Sequence, residues 1–227
     1  MSLFRADSAN PFPGPHQGIS AGQRGVPLEQ AKAVVILVHG RGATAAGILP
    51  LSDEFDLDGV CYLAPQAAGH TWYPYSFLSP TELNEPGLSS GLQRIDDLIG
   101  EVTATGLSHQ QIVLAGFSQG ACLVSEYAAR HPKRYGGIIA WSGGVIGDRV
   151  DLSLYSGSLE QTPVFLGCSD VDPHIPVERV DETEEVFQTL GASVTRRIYP
   201  GMGHTINQDE LKIAGKMIAA TAHSDLK

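Results

Sequence analysis

Short runs of apolar residues recur along the chain between residues 33 and 200, and most of them are continuously apolar. Strands that are buried on both faces have this pattern, because neither face of such a strand meets water. The pattern therefore predicts six strands, over residues 33–40, 60–65, 111–116, 137–143, 163–168 and 193–200.

Between these runs, apolar residues recur at steps of three and four, which places them along one side of a helix. A further helical segment, "ACLVSEYAARH", begins at residue 121. Alternating strands and helices indicate a mostly parallel central sheet with helices on both faces. The three periodic helices are predicted from Leu88, Leu92, Ile95, Ile99 and Val102, from Val180, Thr183, Phe187 and Leu190, and from Leu211, Ala214, Ile218 and Ala222.

The length and composition of the chain favour one α/β domain over residues 1–227. The first 15 residues or so carry three prolines and little periodicity, so we expect an irregular arm there. The cysteines, which are odd in number and lie in or beside apolar segments, are predicted to be free, reduced thiols. They are Cys61, Cys122 and Cys168.

The charge of the chain limits its partners. The formal net charge is −10 and no cluster of Lys or Arg appears, which argues against a nucleic acid or an anionic membrane surface. The chain lacks the apolar stretch of a signal peptide, and no segment approaches the length of a membrane span. We therefore expect a cytoplasmic protein that does not insert into membranes.

Candidate chemistry follows four of the predicted strands. In parallel sheets the ligand site lies at the carboxyl ends of the strands. There the chain has "HGRGAT" (39–44), Ser118, "CSDVDPHIP" (168–176) and "GMGHTI" (201–206). A serine, an acid and a histidine in this chain order are typical of α/β-hydrolases.

Ser118 lies in "GFSQG", a G-x-S-x-G pattern between a predicted strand and a predicted helix. In this context the pattern indicates a sharp turn that exposes a nucleophilic serine, whereas an ordinary glycine-flanked loop is the alternative. His204, in a loop after the last strand, is the candidate base. Two candidates for the acid lie two positions apart, Asp172 and Asp170. Pro173 makes the backbone of Asp172 rigid and favours it, while Asp170 is suited to shaping the turn.

The glycine-rich "HGRGAT" lacks the Lys-Ser/Thr of a phosphate loop and the third glycine of a dinucleotide turn, so we expect no cofactor. Its better use is to present a backbone N–H: the amides of Arg41 and Gln119 would bind an oxyanion, with little contribution from their side chains. Asp170, Asp172 and His174 do not form a recognised metal spacing, and we expect no metal.

An aromatic stretch, "HTWYPYSF" (70–77), follows the second strand. Its place beside the carboxyl ends of the strands makes it either packing or a pocket wall. The residues predicted to line a substrate pocket are Trp72, Tyr73 and Tyr75.

Together, "LVHGRGAT", "GFSQGACL", "DPHIP" and "YPGMGH" resemble the phospholipase/carboxylesterase family of α/β-hydrolases, which includes carboxylesterases and acyl-protein thioesterases. With "TWYPY" these pieces span about residues 34–206. The resemblance implies a catalytic triad of Ser118, Asp172 and His204, and an oxyanion hole formed by the backbone of Arg41 and Gln119. Many members of the family carry Leu where this chain has Arg41.

Only about twenty residues, Gly143 to Pro163, separate two of the predicted strands at the place where a helical cap would be inserted. We therefore predict no large cap domain and a site open to water. The function predicted is a serine carboxylesterase that hydrolyses small soluble carboxylic esters. The alternatives are an acyl-thioesterase or lysophospholipase and, in another class, a non-catalytic protein that binds a small ligand. The oligomeric state is left open, with a homodimer as one alternative.

Overall fold

The computed structural model describes residues 14–223 of the chain. Most of the predicted irregular arm lies outside these residues, and Gly14 and Pro15 lead into a turn. In the described part the chain forms seven strands, which are β1 (Gly22–Gly25), β2 (Ala33–Val38), β3 (Val60–Ala64), β4 (Ile112–Phe117), β5 (Gly137–Trp141), β6 (Pro163–Ser169) and β7 (Ser193–Tyr199).

The strands form one sheet in the order β1-β3-β2-β4-β5-β6-β7. The β1 strand pairs with β3 in the antiparallel direction, and all other neighbours are parallel. The prediction of a mostly parallel sheet is confirmed, and the predicted strands are all present. The prediction missed β1, because this edge strand, "GQRG", has no apolar residue.

Between residues 14 and 223 the chain also forms five α-helices and several short 3-10 turns. The helices are α1 (Ala45–Ile48), α2 (Gly87–Thr103), α3 (Gln119–Arg130), α4 (Val177–Thr189) and α5 (Gln208–His223). The single turn of α1 was not predicted, because four residues are too few to show a period.

Two apolar layers cover the sheet, because successive side chains of a strand point to opposite faces. Val34, Ile36 and Val38 of β2 pack in the layer that contains α2, α3 and α4. Val35 and Leu37 pack in the other layer, with α1 and α5. Helices therefore lie on both faces of the sheet, as predicted.

The segment between β5 and β6 contains a 3-10 turn, Leu152–Leu154, and no α-helix in this described stretch. The prediction of no large cap is confirmed. No helix among residues 14–223 has the length and apolar character needed to cross a membrane.

The turn from β4 into α3 depends on two glycines. A Cβ atom on Gly116 would lie 2.5 Å from the backbone of Gly120, and one on Gly120 would lie 2.1 Å from the carbonyl oxygen of Val38. These distances are shorter than any non-bonded contact that a carbon atom tolerates. The glycines therefore let the start of α3 pack directly against the backbone of β4 and β2.

We expect Gly120→Ala to lower the free energy of unfolding by about 3 kcal/mol, because backbone atoms must move to admit the methyl group. Gly100→Ala is the matched control. Gly100 lies in α2 with no atom within 4 Å of an added Cβ. This variant should gain up to about 1 kcal/mol from the higher helix propensity of alanine. Urea unfolding of both variants measures the difference, and equal stabilities would contradict the packing argument.

Candidate active site

Ser118 lies at the turn between β4 and α3 with φ 56° and ψ −121°. A residue other than glycine rarely adopts a positive φ, and this strained conformation is the one that presents a nucleophile at the top of a sheet. The amide of Ser118 donates to the carbonyl oxygen of Trp141, at the end of the neighbouring β5, over 2.9 Å. The turn is thereby fastened to the adjacent strand.

His204 connects the serine to a carboxylate. Its Nε2 lies 2.9 Å from Oγ of Ser118, and its Nδ1 lies 2.7 Å from Oδ2 of Asp172. When Nδ1 carries a hydrogen and donates a hydrogen bond to Asp172, Nε2 is free to accept the proton of the Ser118 hydroxyl. The ring is also held by Phe117 and by the edge of His174, each with a centroid distance of 4.8 Å.

The side chain of Asp172 is fully buried behind His204. Its Oδ1 accepts hydrogen bonds from the amides of His174, at 2.8 Å, and of Ile175, at 3.1 Å. Burial, the largest single influence, raises the pKa of Asp172, but the hydrogen bonds from His204 and the two amides outweigh it. The net result is a pKa below the usual value, so this carboxylate is ionised at neutral pH.

Asp170, the other candidate acid, does not contact His204. Its Oδ1 accepts from the amide of Gly201 at 2.7 Å. Nearby, Oγ of Ser169 accepts from the amide of Gly203 at 3.0 Å. These two bonds tie the loop that carries His204 to the end of β6, so Asp170 shapes a turn.

The backbone amides of Arg41 and Gln119 have no acceptor in the described part of the chain. Gln119 is the first residue of α3, and no carbonyl group of the helix precedes it to accept its hydrogen. Gly40 brings the loop before Arg41 close to the nucleophile, since a Cβ there would lie 3.3 Å from Cβ of Ser118. Two free amides beside the serine can stabilise an oxyanion.

The side chains of these two residues have a role that the sequence did not predict. Both bind the backbone of residues 71–75, which we call the aromatic segment. In the side-chain amide of Gln119, Oε1 accepts from the backbone N–H of Trp72 at 2.9 Å and Nε2 donates to the carbonyl of Tyr73 at 2.8 Å. The Arg41 guanidinium bonds Thr71, Pro74 and Tyr75.

A cavity of about 530 Å³ opens over Ser118. Tyr73 and Tyr75 line it. Trp72 does not: its side chain is fully buried beneath the wall, and its indole N–H donates to the carbonyl of His39. Of the two alternatives for the aromatic stretch, packing and pocket wall, Trp72 therefore follows the first. Phe77, from the same aromatic stretch of residues 70–77, also lines the cavity. The lining residues that the sequence did not indicate include Phe117, Cys122 and Ile175.

All three cysteines are free and buried, as predicted. Cys122 contributes to the cavity wall, but burial raises its pKa to about 12. Its thiol is therefore protonated at neutral pH and is a weak nucleophile. Within residues 14–223, no group of three or more His, Cys, Asp or Glu side chains is arranged to hold a metal ion.

A family model described as phospholipase/carboxylesterase matches residues 26–222. The chain belongs to the phospholipase/carboxylesterase family. Membership makes the protein a hydrolase of the α/β-hydrolase fold that acts on carboxylic esters, and the predicted family and fold are confirmed.

Several known proteins are similar to the chain over most of its length. A phospholipase/carboxylesterase from Dyadobacter fermentans is 42% identical, with a TM-score of 0.86 over 92% of this chain and 99% of that one. Esterase PE8 is 25% identical, with a TM-score of 0.74 over 88% and 97%. Acyl-protein thioesterase 1 of Kluyveromyces lactis is 26% identical over 81% of this chain and 90% of its own length.

Beneath the candidate site lies a buried carboxyl group, that of Glu210. This residue was not predicted from the sequence. It lies in the first turn of α5, just after the loop of His204, and Oε1 would lie 2.1 Å from a Cβ on Gly167. Its Oε2 accepts from the amide of Asn207, while the Asn207 side chain accepts from the amide of Glu210. This reciprocal capping fixes the start of α5. The signal in the sequence was the spacing of Asn207 and Glu210.

Burial raises the pKa of Glu210 from 4.5 to about 7. The carboxyl group thus stabilises the fold most below about pH 4.5, and this contribution is lost as the pH rises through 7. Glu210→Gln does not titrate, so its free energy of unfolding relative to the parent protein should increase by about 3 kcal/mol between pH 4.5 and 8.

Urea unfolding across this pH range tests the prediction. Glu54→Gln, at an exposed position, is the matched control for the loss of one carboxyl group. A pH-independent difference for Glu210→Gln would mean that burial does not raise the pKa of Glu210.

Proposed function

We propose that the protein is a serine carboxylesterase in which Ser118, His204 and Asp172 form the catalytic triad. Oγ of Ser118 attacks the ester carbonyl carbon as its proton moves to Nε2 of His204. The carbonyl oxygen becomes an oxyanion that accepts from the amides of Arg41 and Gln119. The imidazolium then protonates the departing alcohol, which leaves an acyl group on Ser118.

Water completes the cycle. His204 takes a proton from a water molecule, which attacks the acyl carbonyl and re-forms the oxyanion. Collapse of this intermediate returns the proton to Oγ of Ser118 and releases the acid. Asp172 holds the imidazole in one tautomer and stabilises its charged form. The proposed mechanism uses no metal or cofactor.

The observation that carries the proposal is the continuous pair of hydrogen bonds from Ser118 through His204 to Asp172, at 2.9 and 2.7 Å. A protein that only bound a ligand would gain nothing from this alignment beside a strained serine. The segment between β5 and β6 forms no α-helical cap over the site, which supports small soluble esters as substrates. Cytoplasmic location and a homodimer remain predictions.

A second candidate, acyl-thioesterase activity, is favoured by the relatives named acyl-protein thioesterase 1. Both reactions use the same acyl-enzyme and differ in the leaving group. Rates with p-nitrophenyl esters of increasing chain length and with the corresponding acyl thioesters distinguish the two.

We expect Ser118→Ala to lower kcat by about 10⁴- to 10⁶-fold without unfolding the protein, since it removes one oxygen atom. A fluorophosphonate probe should label the parent protein and not the variant. Circular dichroism checks that the variant is folded. Retention of more than about a tenth of the activity would rule out Ser118 as the nucleophile.

We expect Asp172→Asn to lower kcat by about 10⁴-fold, because an amide at this position favours the wrong tautomer of His204. Asp170→Asn is the matched control, two positions away on the same loop. It removes the charge but keeps an Oδ1 that can accept from the amide of Gly201, so it should cost far less activity. A larger loss at Asp170 would show that Asp172 is not the acid.

A further inference from the structure

The side chain of Arg41 lies at the rim of the cavity, between the candidate oxyanion hole and the aromatic segment. Its Nη1 donates to Oγ1 of Thr71 at 3.1 Å and to the carbonyl of Pro74 at 2.9 Å. Its Nη2 donates to the carbonyl of Tyr75 at 2.6 Å. The guanidinium is therefore held in one place, against residues that line the cavity.

The positive charge of Arg41 has no counter-ion among the described residues. All three acceptors are neutral oxygens. Six other arginines in residues 14–223 pair with carboxylates, and Arg41 does not. The paired arginines are Arg24, Arg94, Arg130, Arg179, Arg196 and Arg197.

The cavity itself supplies no negative charge. Its lining contains Arg41, His174 and His204 and no acidic residue. The carboxylate of Asp172 does not line the cavity, because it is buried behind His204. An exposed cationic residue thus belongs to the cavity lining of a protein whose net charge is −10.

The guanidinium also has N–H groups that do not bind the aromatic segment. It has five N–H groups, and three are used by the aromatic segment. One N–H on Nε and one on Nη2 have no acceptor within the described chain. These two nitrogens share an edge of the guanidinium plane, and such an edge binds both oxygens of a carboxylate in a bidentate pair.

We propose that Arg41 is a specificity-determining residue that binds a carboxylate group carried by the substrate, so that carboxylate-bearing esters are preferred to neutral ones. The inference rests on the esterase function proposed above. Because the amide of the same residue is a candidate oxyanion donor, the ester and the carboxylate of a short substrate can be bound at once. Preferred substrates on the acyl side are monoesters of short dicarboxylic acids.

The test compares substrates of equal shape and different charge. Monoethyl succinate carries a carboxylate, and ethyl succinamate replaces it with a neutral amide. We expect kcat/KM for the parent protein to be about 10- to 100-fold higher with the charged ester, which is the range for a charge-assisted bidentate pair. Butyrate esters of glycolic acid and of glycolamide test a carboxylate on the alcohol side.

The ratio of the two kcat/KM values is the readout in each variant, because it cancels any common loss of activity. In Arg41→Met the ratio should fall to about one, and in Arg41→Lys it should be intermediate, since lysine keeps the charge and loses the planar fork. Arg24→Met is the matched control. It removes the same charge from β1, outside the cavity lining, and should keep the ratio of the parent.

Salt provides a measurement that needs no variant, since the ratio should fall as ionic strength rises. A ratio near one for both pairs of esters in the parent protein would overturn the proposal. Equal losses with charged and neutral esters in Arg41→Met would overturn it too, because the guanidinium would then only hold the aromatic segment.

A binding measurement separates this inference from the proposed function. Calorimetry on Ser118→Ala follows binding of monoethyl succinate without turnover. Binding that is tighter than that of ethyl succinamate and is lost in Ser118→Ala/Arg41→Met supports the proposal even if the parent protein does not hydrolyse these esters. Equal binding of the two esters contradicts it even if the esterase function holds.

Discussion

The close backbone contact between Gly120 and Val38 is the constraint on which the candidate site depends. It brings the first turn of α3 against the end of β2, so that the amide of Gln119 and the loop that carries Arg41 become neighbours. A larger residue at position 120 would separate the two candidate oxyanion donors as well as loosen the core. Stability and the geometry of the site are thus set by the same few backbone atoms.

Two buried carboxyl groups beside β6 illustrate how the number of hydrogen-bond donors determines whether a buried carboxyl group is ionised. Asp172 receives hydrogen bonds from His204 and from two amides, and its pKa falls below the usual value despite burial. Glu210 receives one amide hydrogen bond, and burial raises its pKa to about 7. The first is suited to stabilising an imidazolium, whereas the second is suited to a helix start that needs no charge.

Much of this arrangement was predictable because it follows from local patterns. Continuous apolar runs gave the parallel strands, and the residues just after them gave Ser118 and His204. Packing and long-range contacts were harder to predict from the sequence. Trp72 and Tyr73 are adjacent aromatic residues, yet one is buried beneath the cavity wall and the other lines it. The partners of the Arg41 and Gln119 side chains lie 30 or more residues away, and no local period reveals them.

The cysteines have a practical consequence for work on this protein. Burial raises the pKa values of Cys61, Cys122 and Cys168 to about 11, 12 and 12. Thiol reagents react with the thiolate, so they should spare the folded chain and modify it as it opens. The rate of alkylation therefore reports unfolding without an added label, while reagents aimed at the active-site hydroxyl meet no competing sulfur nucleophile.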